Sequence, residues 1–208
     1  MKKILFLALL AVATFGFQPT ANADLVILGV IDGDLTGGNP KAIVVEATAD
    51  IMDLSVYGLG SANNGGGTDG EEFTFGADAA SAGDKLIVGG NAASADFFLN
   101  NYSLTVNAVN ATANINGDDA VELFLNGSVI DTYGDPDTDG DGETWDYTDG
   151  YAVRTGGSAG AFDQANYDSQ AFALDGLTEA EQATILDNAF GFTAVSYTHL
   201  TLPTILLV

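Results

Sequence analysis

The stretch from Val121 to Tyr133, VELFLNGSVIDTY, leaves the backbone few choices. Val121, Leu123 and Leu125 fall on one side of an extended chain, with Glu122 and Phe124 on the other. Asn126-Gly127 then sits between two such runs, and this dipeptide readily adopts the positive φ angles of a two-residue hairpin turn. The same punctuation recurs along the chain, where 26 glycines break up short apolar runs. That is the pattern of an all-β sandwich or barrel. Strands are predicted over residues 25–31, 42–47, 54–59, 72–75, 85–88, 104–109, 121–125, 128–133 and 151–154. Residues 61–70, SANNGGGTDG, read as a floppy connector. One late segment departs from the β pattern: Thr178 and Glu181 have capping-box spacing and open a run of helix formers through Ala189.

Both ends of the sequence call for separate treatment. Lys2 and Lys3 precede an apolar run from Ile4 to Phe17 that is too short to span a bilayer, and Ala21-Asn22-Ala23 fits a leader cleavage site. Residues 1–23 are therefore expected to be a signal peptide removed near Ala23, giving a secreted or periplasmic product with no membrane span. At the other end, Val195 to Thr204 reads as the in-frame translation of a transposase sequencing adapter. Residues 195–208 are set aside as an artefact on that ground, which leaves the natural C-terminus missing. The expected organisation is one β-sandwich over residues 24–177 followed by a short helical segment over 178–194. These two pieces hold about 170 residues, enough for one domain with its own core.

Setting the ends aside restricts the available chemistry. The single histidine, His199, lies in the suspect tail, and there is no cysteine. Histidine acid–base catalysis and Cys/His zinc sites are excluded for the remainder. Beyond the leader, three cations (Lys41, Lys85 and Arg154) face 29 acidic residues. Such a surface repels phosphate backbones, so no direct nucleic-acid binding is expected without divalent cations.

The acids are densest in residues 135–146, DPDTDGDGETWD. Asp135, Asp137 and Asp139 fall at positions 1, 3 and 5 of a twelve-residue register. Gly140 is at 6, Glu143 at 9 and Asp146 at 12, with Asp141 between. Those are the ligand positions of a calcium loop, with a glycine at the sharp turn. The same run also fits a solvated acidic turn. Asp118-Asp119 reads as a paired-carboxylate site or as a turn entering the next strand. Glu71-Glu72 reads as a solvated strand edge. Arg154 is expected to pair with Asp149 or Asp146, or else to bind an anion. Trp145, Tyr147 and Tyr151 form either a carbohydrate-stacking platform or core packing.

Three segments carry a family resemblance. PKAIVVEATADIMDLSVYGLG (40–60) is similar to the opening of a lamin tail domain, and INGDDAVELFLNGSVIDTYGD (115–135) resembles its second half. TWDYTDGYAVR (144–154) is similar to the segment that follows in secreted bacterial members. The resemblance implies an immunoglobulin-like β-sandwich without catalytic function of its own, to which the capping box at Thr178 adds a short C-terminal helix. It points to an exported module for adhesion, targeting or spacing, stabilised by calcium if the acidic loop binds it. The alternatives are an accessory module at the front of a truncated secreted nuclease or phosphatase, and a glycan-binding module. The sequence names no partner; extracellular matrix or glycan is the class that such a module implies.

Overall fold

In the computed structural model, residues 23–192 are described. Residues 1–22 and 193–208 lie outside the described residues, and with them nearly all of the expected signal peptide and the whole of the adapter-like tail. Ten strands form two sheets, with two helices against the larger one. The strands are β1 Leu25–Leu35, β2 Asn39–Ala47, β3 Tyr57–Ala62, β4 Phe73–Thr74, β5 Lys85–Gly89, β6 Ala108–Val109, β7 Ala120–Leu125, β8 Ser128–Tyr133, β9 Gly150–Arg154 and β10 Tyr167–Gln170. The helices are α1, Ala92–Tyr102, and α2, Glu179–Phe190. The larger sheet runs β10-β9-β1-β2-β5-β6 and the smaller β4-β3-β7-β8. Every pairing is antiparallel except β5 with β6.

The Asn126-Gly127 hairpin forms as expected. Both residues have positive φ, 51° and 75°, and β7 pairs with β8 across them. Val121, Leu123 and Leu125 face the space between the sheets. There Val121 and Leu123 pack with Leu25, Ile27, Val30, Ile43, Val45, Leu59 and Tyr133 in one core.

The other face of the larger sheet is also covered. Leu28, Ile31, Ala42, Val44, Ile87 and Val153 pack against Phe97, Phe98 and Tyr102 of α1 and Leu186 and Phe190 of α2. This explains why β1 and β2 are almost continuously apolar: both sides are buried. In β1 a bulge near Leu28 shifts the register, so that Ile27 and Val30 both face inward. Gly29 sits at the bulge, where an added Cβ would lie 2.1 Å from the Ala152 carbonyl oxygen and 2.8 Å from the Phe190 ring. No side chain fits there.

Several expectations need correcting. Residues 54–56 form a 3-10 turn, capped by the Asp53 carboxylate, and the strand begins at Tyr57 and runs into the expected connector. Residues 104–109 contribute only the two-residue β6. The segment between β5 and β6, for which the sequence pattern predicts no element, holds α1. Its start is fixed by Asn91, whose side chain accepts a hydrogen bond from the Ser94 N–H. Helix α2 has the expected capping box between Thr178 and Glu181. Because Ala183, Leu186 and Phe190 belong to the outer core, α2 packs as part of the same body as the strands.

Candidate functional site

One end of the sandwich gathers the turns that precede β7 and follow β8, together with the segment after β3. The 135–146 loop packs across the 116–119 turn, with the Gly140 N–H donating to the Asp118 carbonyl at 3.0 Å. Its carboxylates serve as local acceptors. Asp135 accepts from the Asp137 N–H and the Thr138 hydroxyl, at 3.0 and 2.9 Å. Asp139 accepts from the Asp141 N–H at 3.2 Å. Asp146, which is buried, accepts from the Gly142 and Thr148 N–H groups at 3.0 and 2.8 Å. Asp141 and Glu143 are exposed.

Gly140 has a role that the loop register did not suggest. A Cβ there would lie 2.6 Å from the Trp145 ring and 2.8 Å from the Asp118 carbonyl oxygen. The glycine makes room for the tryptophan. Trp145 and Tyr147 are buried, packing edge-on to Tyr133, and the Tyr147 hydroxyl donates to the Asp119 carbonyl at 2.9 Å. Tyr151 lies on the opposite face of the larger sheet, against Phe190. These three aromatics therefore form no shared stacking platform.

The segment after β3 is anchored, not floppy. The Asn64 N–H donates to Asp119 Oδ1 at 3.0 Å, Gly67 to the Pro136 carbonyl at 2.9 Å, and the Thr68 hydroxyl to Glu122 Oε1 at 2.8 Å. Residues 63–70 thus form a flap over the outer side of β7, where Glu122 is buried. Of the acidic pair, Asp119 is buried and closes the turn by accepting from the Asn116 N–H at 3.1 Å. Asp118 differs. Its Oδ1 is buried and has no hydrogen-bond partner.

Acids outnumber cations at this end, where Lys41 acts on Asp119 from the interior. Burial first, then the charge of Asp119, raises the Asp118 pKa, with Asp139 and Asp146 adding to it. Asp119 is raised mainly by burial, against the lowering effect of its hydrogen bonds. Glu122 is raised by burial, and Asp69 and Asp137 push the same way. Glu71 and Glu72 are exposed beside β4, as expected. Glu72 also accepts from the Ser61 backbone and hydroxyl, at 3.1 and 3.2 Å.

Among the described residues, one set of three acids brings an oxygen each within 4.8 Å of the others: Asp34, Asp149 and Asp175. None of the six loop residues belongs to it. Asp34 and Asp175 are exposed, and Asp34 accepts from the Gly176 N–H at 2.7 Å.

Arg154 pairs with neither Asp146 nor Asp149. It reaches Asp131 at 2.5 Å, with the Tyr167 hydroxyl beside it. Its Nε donates to the Ile27 carbonyl at 2.8 Å. Asp131 Oδ2 also accepts from the Ile27 N–H at 2.8 Å, and Oδ1 accepts from Gly160 at 3.0 Å. The arginine and aspartate join the two sheets internally and present no anion site. No helix among the described residues is long and apolar enough to cross a membrane. No protein-family model, curated protein or solved structure matches the chain.

Proposed function

We propose that the chain is an exported, non-catalytic module of lamin-tail-domain type whose acidic loop end is tightened by calcium. The observation that carries the calcium reading is the unpartnered, buried Oδ1 of Asp118, crowded by Asp119, Asp139 and Asp146. A hard cation would satisfy that oxygen and relieve the repulsion together, and carboxylates are ligands calcium accepts. In this reading Asp135, Asp137, Asp139, Asp141, Glu143 and Asp146 are the further ligands, which exchange their present local contacts for the ion. The module's role is adhesion, targeting or spacing outside the cell, with matrix or glycan as its partner. A net charge of −24 suits such a setting and disfavours bare nucleic acid.

Thermal unfolding in calcium and in chelator tests this reading. An extracellular site with a dissociation constant near 10⁻⁴ to 10⁻³ M gives about 1.4 to 2.7 kcal/mol at roughly 10 mM calcium. The melting temperature should rise by about 3 to 10 °C. Asp118→Asn, Asp135→Ala and Asp139→Ala should each remove the calcium-dependent part, and magnesium should substitute poorly. Identical melting in calcium and chelator would leave a solvated turn.

A further inference from the structure

Lys41 is inward-facing on β2, on the same side as Ile43 and Val45, directly opposite Asp32 of β1 in the strand register. Its amine contacts Asp32 Oδ1, and the two side chains are 15% and 5% exposed. Both reacting groups are held from a second side. The amine donates to the Ile115 carbonyl at 2.6 Å, and Asp32 Oδ2 accepts from the Asp149 N–H at 3.3 Å. Buried Tyr147 and Ile115 belong to the adjoining core. Asp119 and Asp149 lie within electrostatic range of the amine.

We propose that Lys41 and Asp32 condense into an intramolecular isopeptide bond that closes the β1–β2 hairpin covalently. Condensation replaces two charges held in a buried setting by one neutral amide, removing the cost of keeping them there. Fixed placement replaces a bimolecular encounter. In the step, Lys41 Nζ attacks Asp32 Cγ and forms the C–N bond. The backbone N–H of Asp149 holds the oxygen that stays. The other Cγ–O bond breaks, and that oxygen leaves as water with two protons from the amine and acid. Ammonium and carboxylate become one neutral amide and one water, with no oxidant or cofactor. Neighbouring Asp119 or Asp149 can relay the proton and is returned unchanged.

The test is the intact mass of the purified protein under denaturing conditions, with a tryptic map. The expected mass is one water below that of the sequence. Trypsin should fail to cut after Lys41, leaving the peptide that carries Asp32 running on to Lys85. Lys41→Met should restore the full mass. Asp32→Asn should lose ammonia instead of water and reach the same mass as the linked wild type. A wild-type protein of full mass, cut normally after Lys41, overturns the proposal. So does a water loss that persists in Lys41→Met, because cyclisation at Asp32-Gly33 would also expel one water. The wild-type mass and map decide the matter even where a variant folds poorly.

Discussion

Asp131 and Glu122 lie on neighbouring strands of the smaller sheet, 1% and 3% exposed, and their surroundings differ sharply. Asp131 faces the core with Arg154 against it and backbone donors from Ile27 and Gly160. Glu122 faces outward under the flap, with the Thr68 hydroxyl as donor and Asp69 and Asp137 as further charge. Two of the three cations among the described residues, Arg154 and Lys41, are drawn into the interior, and each meets a carboxylate there. The acidic end is left with repulsion that protons, salt or a divalent ion can relieve. Cations fix the inside of this protein, while solution conditions tune one end of it.

The largest expected effect breaks the neutralised half of that contrast. Asp131→Ala leaves Arg154 and two backbone donors without their acceptor in the interior. Removing one partner of a buried pair costs about 3–5 kcal/mol. Urea unfolding should show the loss, and a change below about 1 kcal/mol would mean that the pair does not join the sheets.

Next comes pH. Asp118, Asp119, Glu122 and Asp149 all have folded pKa values raised, chiefly by burial. A raised carboxylate takes up its proton first in the folded state. The stability it contributes is therefore present below the unfolded value, near 4, and is lost as pH rises through the folded value. Acidifying from pH 7 toward about 4 should strengthen the flap, read as higher protection at Asn64 and Gly67 relative to the intrinsic exchange rate at each pH. Asp53 and Glu181 run the other way: side-chain hydrogen bonds from Ser55 and Thr178 lower them. Their contribution falls only as pH drops below the ordinary carboxylate range. Lower protection in the flap at mildly acidic pH, after correction for the intrinsic rate, would reverse the assignment of which end is over-charged.

The smallest effect sharpens the comparison. Glu122→Gln keeps an acceptor for Thr68 and removes the charge, so it should stabilise the protein at pH 7 by about 1 kcal/mol or less. The gain should shrink as the pH falls and the wild-type carboxyl becomes neutral. Destabilisation at neutral pH would show that the flap depends on the carboxylate's charge.

What the sequence disclosed follows from which forces are local. The β7–β8 hairpin was legible because alternation and Asn126-Gly127 specify it within thirteen residues. The α2 cap was legible in Thr178 and Glu181 for the same reason. Strand β10, YDSQ, is only a strand because β9 offers it a partner from Arg154 back to Tyr151. Helix α1 had a signal that was passed over. Asn91 stands at its cap, and Phe98 and Tyr102 are one turn apart on a single face. At the acidic end the residue types were visible in advance, but their contacts were not. Asp118 gains its unpartnered oxygen from loops that meet only in the folded chain, and Gly140 answers to a tryptophan five residues away. Arg154 found Asp131 across the sandwich, a partner that no nearest-neighbour rule would select.

The position of β1 has a mechanical consequence. The strand that opens the described chain is not at a sheet edge; it lies between β2 and β9, with its Ile27 N–H also held by Asp131 from the other sheet. A pull applied at residue 24 first loads the single ladder that joins Leu25 to Ile27 with β2, together with the Asp131 contact at Ile27. From Gly29 to Asp32 the strand is held on both sides, by β2 and β9, so the load there passes to segments more than 100 residues apart in sequence. A tether attached at this end would be resisted more strongly the further along β1 the strain travelled.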